Sequence, residues 1–176
     1  MGVYTPQYQP NGDEVAVIET GKGTIRVKLA GKDAPIHVAN FVELARKGFY
    51  DGLKFHRHEP NFVIQGGCPN TRELTCEQVR AGGTYPPPGT GGPGYQIKGE
   101  WTVNPHNTHK DGTLAMARSQ QPDSAGSQFY FCLGTQSFLD GNYTVFGDPV
   151  DDASVAVIHS LEKGDEIRSI AIENGD

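Results

Sequence analysis

The sequence predicts an all-β fold, most simply an antiparallel closed β-barrel of eight or so strands capped by two α-helices. Three observations point there. Short runs with strand character recur along the whole chain, separated by Gly, Pro, Asn and Asp. Only two stretches carry a helical apolar stripe. And a small antiparallel sheet must protect its edges, which closure does by removing them. Two amphipathic helices then have an obvious task, filling the open ends. No internal repeat is visible.

The elements follow in chain order. Residues 1–13 are polar and rich in Pro, Gln and Tyr, and are expected to form an irregular arm outside a single domain spanning 14–176. Glu14 to Thr20 and Thr24 to Ala30 flank Gly21-Lys22-Gly23; Ile25, Val27 and Leu29 alternate with Arg26 and Lys28, the period of a half-buried strand. Asp33-Ala34-Pro35 opens the first helix, with Pro in its first turn. Val38, Phe41, Val42 and Ala45 form its packing stripe, and Gly48 is placed to end it. Leu53 to His58 and Asn61 to Gln65 read as a hairpin joined by Glu59-Pro60-Asn61 and stopped by Gly66-Gly67. The Gly-, Pro- and Thr-rich segment 68–94 is an extended surface loop, since Tyr85-Pro86-Pro87-Pro88-Gly89 and Gly91-Gly92-Pro93-Gly94 suit neither helix nor central strand. Thr113 to Ala117, Gln128 to Leu133 and a run through Val145 and Phe146 are further strands. Asp152 is expected to cap a second helix carrying Val155, Ile158 and Leu161 and ending at Gly164, and Glu166 to Glu173 is the last strand.

Composition removes several function classes. The chain has 176 residues, enough to bury roughly 70% of its unfolded surface as one domain. Its net charge of −6 gives no electrostatic footprint for nucleic acid or an anionic membrane. No apolar run approaches the ~20 residues of a membrane span, and the first residues lack the features of a signal peptide. Three cysteines, Cys68, Cys76 and Cys132, do not make a disulfide scaffold, so a cytoplasmic, reducing setting is expected. The 68–94 glycines lack the Lys-Ser/Thr and the helix of a phosphate loop. His56 and His58 with Cys68 and Cys76 raise the idea of a metal or redox site, but no CxxC is present and coincidence is the simpler reading.

The central hairpin gathers Arg57, Phe62 and Gln65: a fixed cation, an aromatic and a neutral amide. None moves a proton readily at neutral pH, so a site built from them binds and polarises rather than hydrolyses. Simple alternation places Gln65 on the face of Val63, opposite Phe62. The two share a groove only if the hairpin twists or bulges near Pro60.

Phe55-His56-Arg57 through Gln65-Gly66-Gly67, then Gly126-Ser127-Gln128-Phe129-Tyr130, then Phe138-Leu139-Asp140-Gly141, together resemble the cyclophilin family. The resemblance runs from about Glu14 to the C-terminus, apart from part of 68–94. It implies an eight-stranded barrel capped by two helices, and peptidyl-prolyl cis-trans isomerase activity assisting protein folding, with no cofactor and no metal. By the same resemblance Arg57 is the catalytic arginine, and Gln65 holds it. Phe62, Met116, Tyr130 and Leu139 form the proline pocket; Ala117, Arg118, Gln128, Phe138 and Tyr143 line the rest of the groove. The implied partners are proline-containing peptides and unfolded or folding proteins, met by a monomer; cyclosporin-like cyclic peptides are weakened by Phe138, which stands where many members have Trp. Tyr130 replaces a more usual Phe, Tyr143 a His and Arg118 an Asn, while Glu59 sits where an apolar residue is common. Trp101 and Phe129 read as packing residues. A proline-peptide-binding chaperone or scaffold with weak turnover is the alternative, suggested by the long loop and by Glu59.

These residue types suit the reaction. Rotation about a peptide bond costs ~18–20 kcal/mol because amide resonance is lost. Catalysis therefore needs a socket for the prolyl ring and preferential stabilisation of the twisted amide, whose nitrogen regains its lone pair. A guanidinium stays charged and presents a rigid fork of donors to that nitrogen or the neighbouring carbonyl. One such bond is worth roughly 1.5–3 kcal/mol, so a desolvated pocket must supply the remainder.

Overall fold

Alternation dictates the first hairpin. β1 (Val15–Thr20) and β2 (Gly23–Leu29) pair antiparallel around a two-residue turn, and Ala16, Ile18, Ile25, Val27 and Leu29 all point into the core. The computed structural model describes residues 3–101, 104 and 107–175. The other strands are β3 (Arg57–Glu59), β4 (Val63–Gly66), β5 (Leu114–Met116), β6 (Phe129–Cys132), β7 (Val145–Pro149) and β8 (Ile167–Glu173). They form one antiparallel sheet in the order β3-β4-β6-β5-β7-β2-β1-β8. Its two ends meet just upstream of β3: the Phe55 N–H donates to Asp165 O, the Gly164 N–H to Phe55 O and the Ile167 N–H to Leu53 O, with Lys54 bridged to Glu166. The eight predicted strands are therefore all present, each within a few residues of its expected bounds. The largest difference is Leu53 to His58, most of which serves as this closing seam and not as a long hairpin arm.

The helices are α1 (Pro35–Arg46), α2 (Cys76–Ala81) and α3 (Asp152–Ser160). In α1 the stripe Val38, Phe41, Val42 and Ala45 is buried, and Phe41 packs on Tyr50, Phe129 and Phe146. No side chain of the preceding turn caps α1; the Glu100 carboxylate does so from afar, accepting from Ile36 N and His37 N. In α3 the cap is Asp151, one residue before the expected Asp152, because its carboxylate is the one that reaches Ser154 N at 2.8 Å. That helix ends at Ser160, short of Gly164, which turns the chain at φ +95°.

Segment 68–94 is not wholly irregular. A 3₁₀ turn over Pro69–Thr71 precedes α2, whose start is a reciprocal cap: Thr75 accepts from Gln78 N while the Gln78 side chain accepts from Thr75 N. Among the described residues no helix is long and apolar enough to cross a membrane.

The strands around β6 have two apolar faces. Ile64, Leu114, Met116, Phe129 and Phe131 point into the barrel with the buried side of α1. Val63, Ala115, Tyr130, Cys132, Leu139 and Val145 form a second cluster on the opposite side, with Phe62, Ala117 and Tyr143 packed on it. This outer cluster builds the site.

Candidate functional site

Cross-strand pairing decides which side chains of the central hairpin share a face. Arg57 lies directly opposite Gln65, so both project on the side of Val63 while Ile64 turns inward. Phe62 escapes strict alternation because the turn extends over 60–62, with Asn61 in the left-handed region at φ +63°. That turn is pinned from β6 and beyond: the Leu133 N–H donates to Phe62 O at 2.8 Å, and the buried Gln136 amide donates to Asn61 O at 2.9 Å. The turn thus supplies the twist that the shared groove requires. Gly67 explains why the hairpin must stop in glycine: a Cβ there would lie 2.5 Å from Ser127 O, and its φ is +92°.

A hollow of about 320 Å³ opens on this face, lined by Arg57, Phe62, Val63, Gln65, Ala117, Arg118, Tyr130, Phe138, Leu139 and Tyr143. Nine of these ten stand among the predicted site residues. Val63 is the one that sequence reading omitted, although alternation had already placed it on the Gln65 face. Met116 requires a correction. It is only 1% exposed and points into the barrel beside Phe129, because its neighbour Ala115 takes the outward position on β5. Gln128 does not line this hollow but an adjoining one.

The walls of the hollow are held by named contacts. Phe138, two-thirds exposed, stacks on Phe62 with ring centroids 5.6 Å apart. Tyr143 meets Tyr130 edge-on at 6.2 Å. The Arg118 guanidinium lies over the rings of both Tyr143 (4.7 Å) and Trp101 (4.8 Å), and its Nε–H donates to Asn142 O at 3.0 Å. Arg118 therefore braces one wall, a role its replacement of Asn does not suggest.

Beneath the hollow, the hydroxyl that distinguishes Tyr130 has a partner. His109 Nε2 lies 2.8 Å from Tyr130 Oη, and His109 Nδ1 lies 2.8 Å from Asp140 Oδ1. The carboxylate can only accept, so Nδ1 carries the proton and Nε2 accepts from the phenol. Burial holds His109 below the usual histidine range, against the opposing pull of Asp140, which keeps this relay neutral at the ring. Burial likewise pushes the Tyr130 phenol far up.

Arg57 stands at the rim with its side chain 46% exposed. Its Nη1 makes a long 3.4 Å contact to Gln65 Oε1, its Nε lies 3.7 Å from Glu59 Oε1, and its guanidinium sits 5.7 Å from the Phe62 ring. Gln65 in turn donates to Gln128 Oε1 at 3.0 Å, and Gln128 donates to the carbonyls of Gly89 and Gly91 at 2.9 and 2.8 Å. A chain of amides thus links Arg57 to the 68–94 segment. The adjoining hollow, of about 340 Å³, shares Gln65, Ala117 and Arg118 with the first and is otherwise lined by 89–93, Tyr95, Gln96, Ser119, Ser124 and 126–128.

The neighbouring histidine and thiols do not join this chemistry. Burial, then the charges of Arg57 and Lys163, lower His56 to about 4, so it is neutral near pH 7. Cys132 is pushed up to about 12, chiefly by burial. Cys68, Cys76 and Cys132 are free thiols. Among the described residues no group of three or more His, Cys, Asp or Glu is placed to hold a metal ion.

This arrangement, an apolar socket with a fixed cation on its rim, agrees with what the chain is similar to. The family model described as cyclophilin type peptidyl-prolyl cis-trans isomerase/CLD matches residues 15–174. A peptidyl-prolyl cis-trans isomerase of Synechococcus elongatus is 48% identical over 157 residues, covering 89% of this chain and 94% of the relative. Isomerase B of Bacillus subtilis is 43% identical, covering 85% and 90%. A cyclophilin-type isomerase of Cryptosporidium parvum, crystallised in the presence of the dipeptide Ala-Pro, superposes with a TM-score of 0.73 at 25% identity, over 92% of this chain and 99% of that one. With the model spanning nearly the whole chain, this protein belongs to the cyclophilin-type peptidyl-prolyl cis-trans isomerase family.

Proposed function

We propose that the protein rotates X-Pro peptide bonds by seating the prolyl ring in the hollow of Phe62, Val63, Tyr130 and Leu139 while Arg57 stabilises the twisted amide. The observation carrying this reading is the position of Arg57: a permanent cation on the rim of an apolar socket, directly across the ladder from Gln65. As resonance is lost, the proline nitrogen regains its lone pair and becomes an acceptor, so a guanidinium there favours the transition state over either ground state. Gln65 positions that guanidinium, and Gln128 positions Gln65. No bond to the protein forms or breaks, and no proton is transferred.

The substrates on this reading are proline-containing peptides and folding proteins, bound by a monomer; the free thiols suit the cytoplasm. Cyclosporin-like cyclic peptides bind weakly, because Phe138 stacks on Phe62 and offers no indole N–H. Turnover is favoured over a purely binding role by the family to which the chain belongs.

The test is two-dimensional exchange spectroscopy on an Ala-Pro peptide with wild type and Arg57→Ala side by side. The variant is expected to lose about one to two decades of catalysed exchange, the worth of a hydrogen bond to a charged group, while melting like wild type. Equal exchange rates would overturn the assignment.

A further inference from the structure

Residues 3–13 do not dangle. Their exposure alternates residue by residue, with Tyr4, Pro6, Tyr8 and Pro10 half-buried and Val3, Thr5, Gln7 and Gln9 exposed, the signature of an extended chain lying on a surface. Glu43 on α1 collects the chain: one carboxylate oxygen accepts from the Tyr4 hydroxyl at 2.8 Å, the other from Gln7 N at 2.6 Å and Tyr8 N at 2.8 Å. Burial raises the Glu43 carboxyl, but these donors outweigh it and hold it below the usual range, so it is a full anion near pH 7. Beyond this anchor the strap continues to the groove. Val3 bridges to Gln96, the Tyr4 N–H donates to Gln96 O at 2.7 Å, and the Tyr4 ring lies 4.5 Å from that of Tyr95. The Tyr95 hydroxyl donates to the Asn40 side-chain oxygen, and the Asn40 amide donates to Gly126 O at 2.7 Å. Tyr95, Gln96 and Gly126 all line the hollow adjoining the proline socket.

We infer that the N-terminal strap, anchored by Glu43, is a positioning element that fixes the Tyr95–Gln96 wall of this second hollow and so sets affinity for the peptide residues flanking proline. Among the described residues, these contacts join the strap to Glu43, Tyr95 and Gln96, none of which lines the socket. Loss of the strap therefore loosens one subsite and leaves the rotating bond's surroundings intact. This rests on the reading of the socket as the isomerase site.

The experiment compares the full chain with Glu43→Ala and Tyr4→Phe on a short peptide holding one Ala-Pro bond and on longer peptides extending it on either side. Glu43→Ala is expected to raise KM about fivefold for the longer peptide that reaches the second hollow, the worth of roughly one hydrogen bond, with kcat unchanged. The short peptide keeps its kcat/KM within about twofold, and Tyr4→Phe, which retains the ring on Tyr95, gives a smaller rise. Equal losses on short and long peptides would make the strap a stabiliser only, and unchanged KM on every peptide would remove its role altogether; either overturns the inference. Dissociation constants of the same peptides give the same ratio without turnover. A wild-type chain that fails to isomerise any of them would therefore sink the isomerase reading, while the strap is still judged from binding.

Discussion

The two faces of β6 carry the same kind of residue to opposite ends. Phe129 and Phe131 point into the barrel, where Phe129 makes edge contacts with Phe41, Tyr50, Phe55 and Phe131. Tyr130 and Cys132 point outward yet are almost as buried, covered by Phe62, Leu139 and Tyr143. The inner face is closed on all sides, so every atom there contributes to cohesion. The outer face is closed beneath and open above, and the opening is the site. One short strand thus separates stability from function by the period of two, and substitutions on its faces should separate the same way.

The largest effect belongs to the inner face. Phe129→Ala removes a ring packed by four aromatic neighbours and is expected to cost about 3–5 kcal/mol, read as the midpoint shift in urea unfolding. Arg57→Ala on the outer face is its mirror, with catalysis lost and the midpoint within about 0.5 kcal/mol of wild type, as surface substitutions are. If Phe129→Ala left stability intact, or if Arg57→Ala cost as much as a core deletion, the division between the faces would fail.

Tyr130→Phe probes the boundary between them. The ring is kept, so the socket retains its floor, but the hydroxyl partner of His109 Nε2 is lost inside a buried site. An orphaned buried acceptor costs about 1–3 kcal/mol, so the variant should unfold earlier while exchange on an Ala-Pro peptide stays near the wild-type rate. Adding His109→Leu removes the orphan and should recover part of the loss. A Tyr130→Phe enzyme of full stability would mean that the Asp140–His109–Tyr130 relay holds nothing in place.

What could be read from the sequence divides along similar lines. Strands whose faces differ were legible: Ile25, Val27 and Leu29 announced β2 by alternation, and the Val38 stripe announced α1. The β6 face was not, because all four residues from Phe129 to Cys132 are buried and carry no contrast. Met116 enters the pocket by resemblance alone, and the uniform burial over Leu114–Met116 offers no contrast that would correct it; Val63 stands on the Gln65 face by alternation but is not among the residues the resemblance supplies. Two signals were present and unread. Thr75 followed by Gln78 is a capping box, hidden within a segment whose Pro and Gly content suggested only loop. Tyr4, Pro6, Tyr8 and Pro10 keep a period of two through a stretch expected to be irregular. The anchoring of that strap was out of reach, since Glu43 lies 39 residues from Tyr4 and only the fold brings them together. Glu59, two residues from Arg57 in the sequence, brings its carboxylate 3.7 Å from the Arg57 Nε in the fold.

Glu59→Ala gives the smallest and most discriminating change. Its carboxylate and the Arg57 side chain are both about half exposed, so the attraction between them is screened and worth about 0–1 kcal/mol. That small bias still acts on the one group proposed to meet the twisted amide. The guanidinium faces both groups at once, Nε 3.7 Å from Glu59 Oε1 and Nη1 3.4 Å from Gln65 Oε1, so the carboxylate pulls on the same cation that Gln65 holds. Removing the carboxylate should therefore raise catalysed exchange by up to about threefold, with stability unchanged and with the gain shrinking in high salt as the screened pair loses its hold in wild type. A fall in rate would instead show that Glu59 steadies the guanidinium in its working position, making it part of the outer face's machinery alongside Gln65.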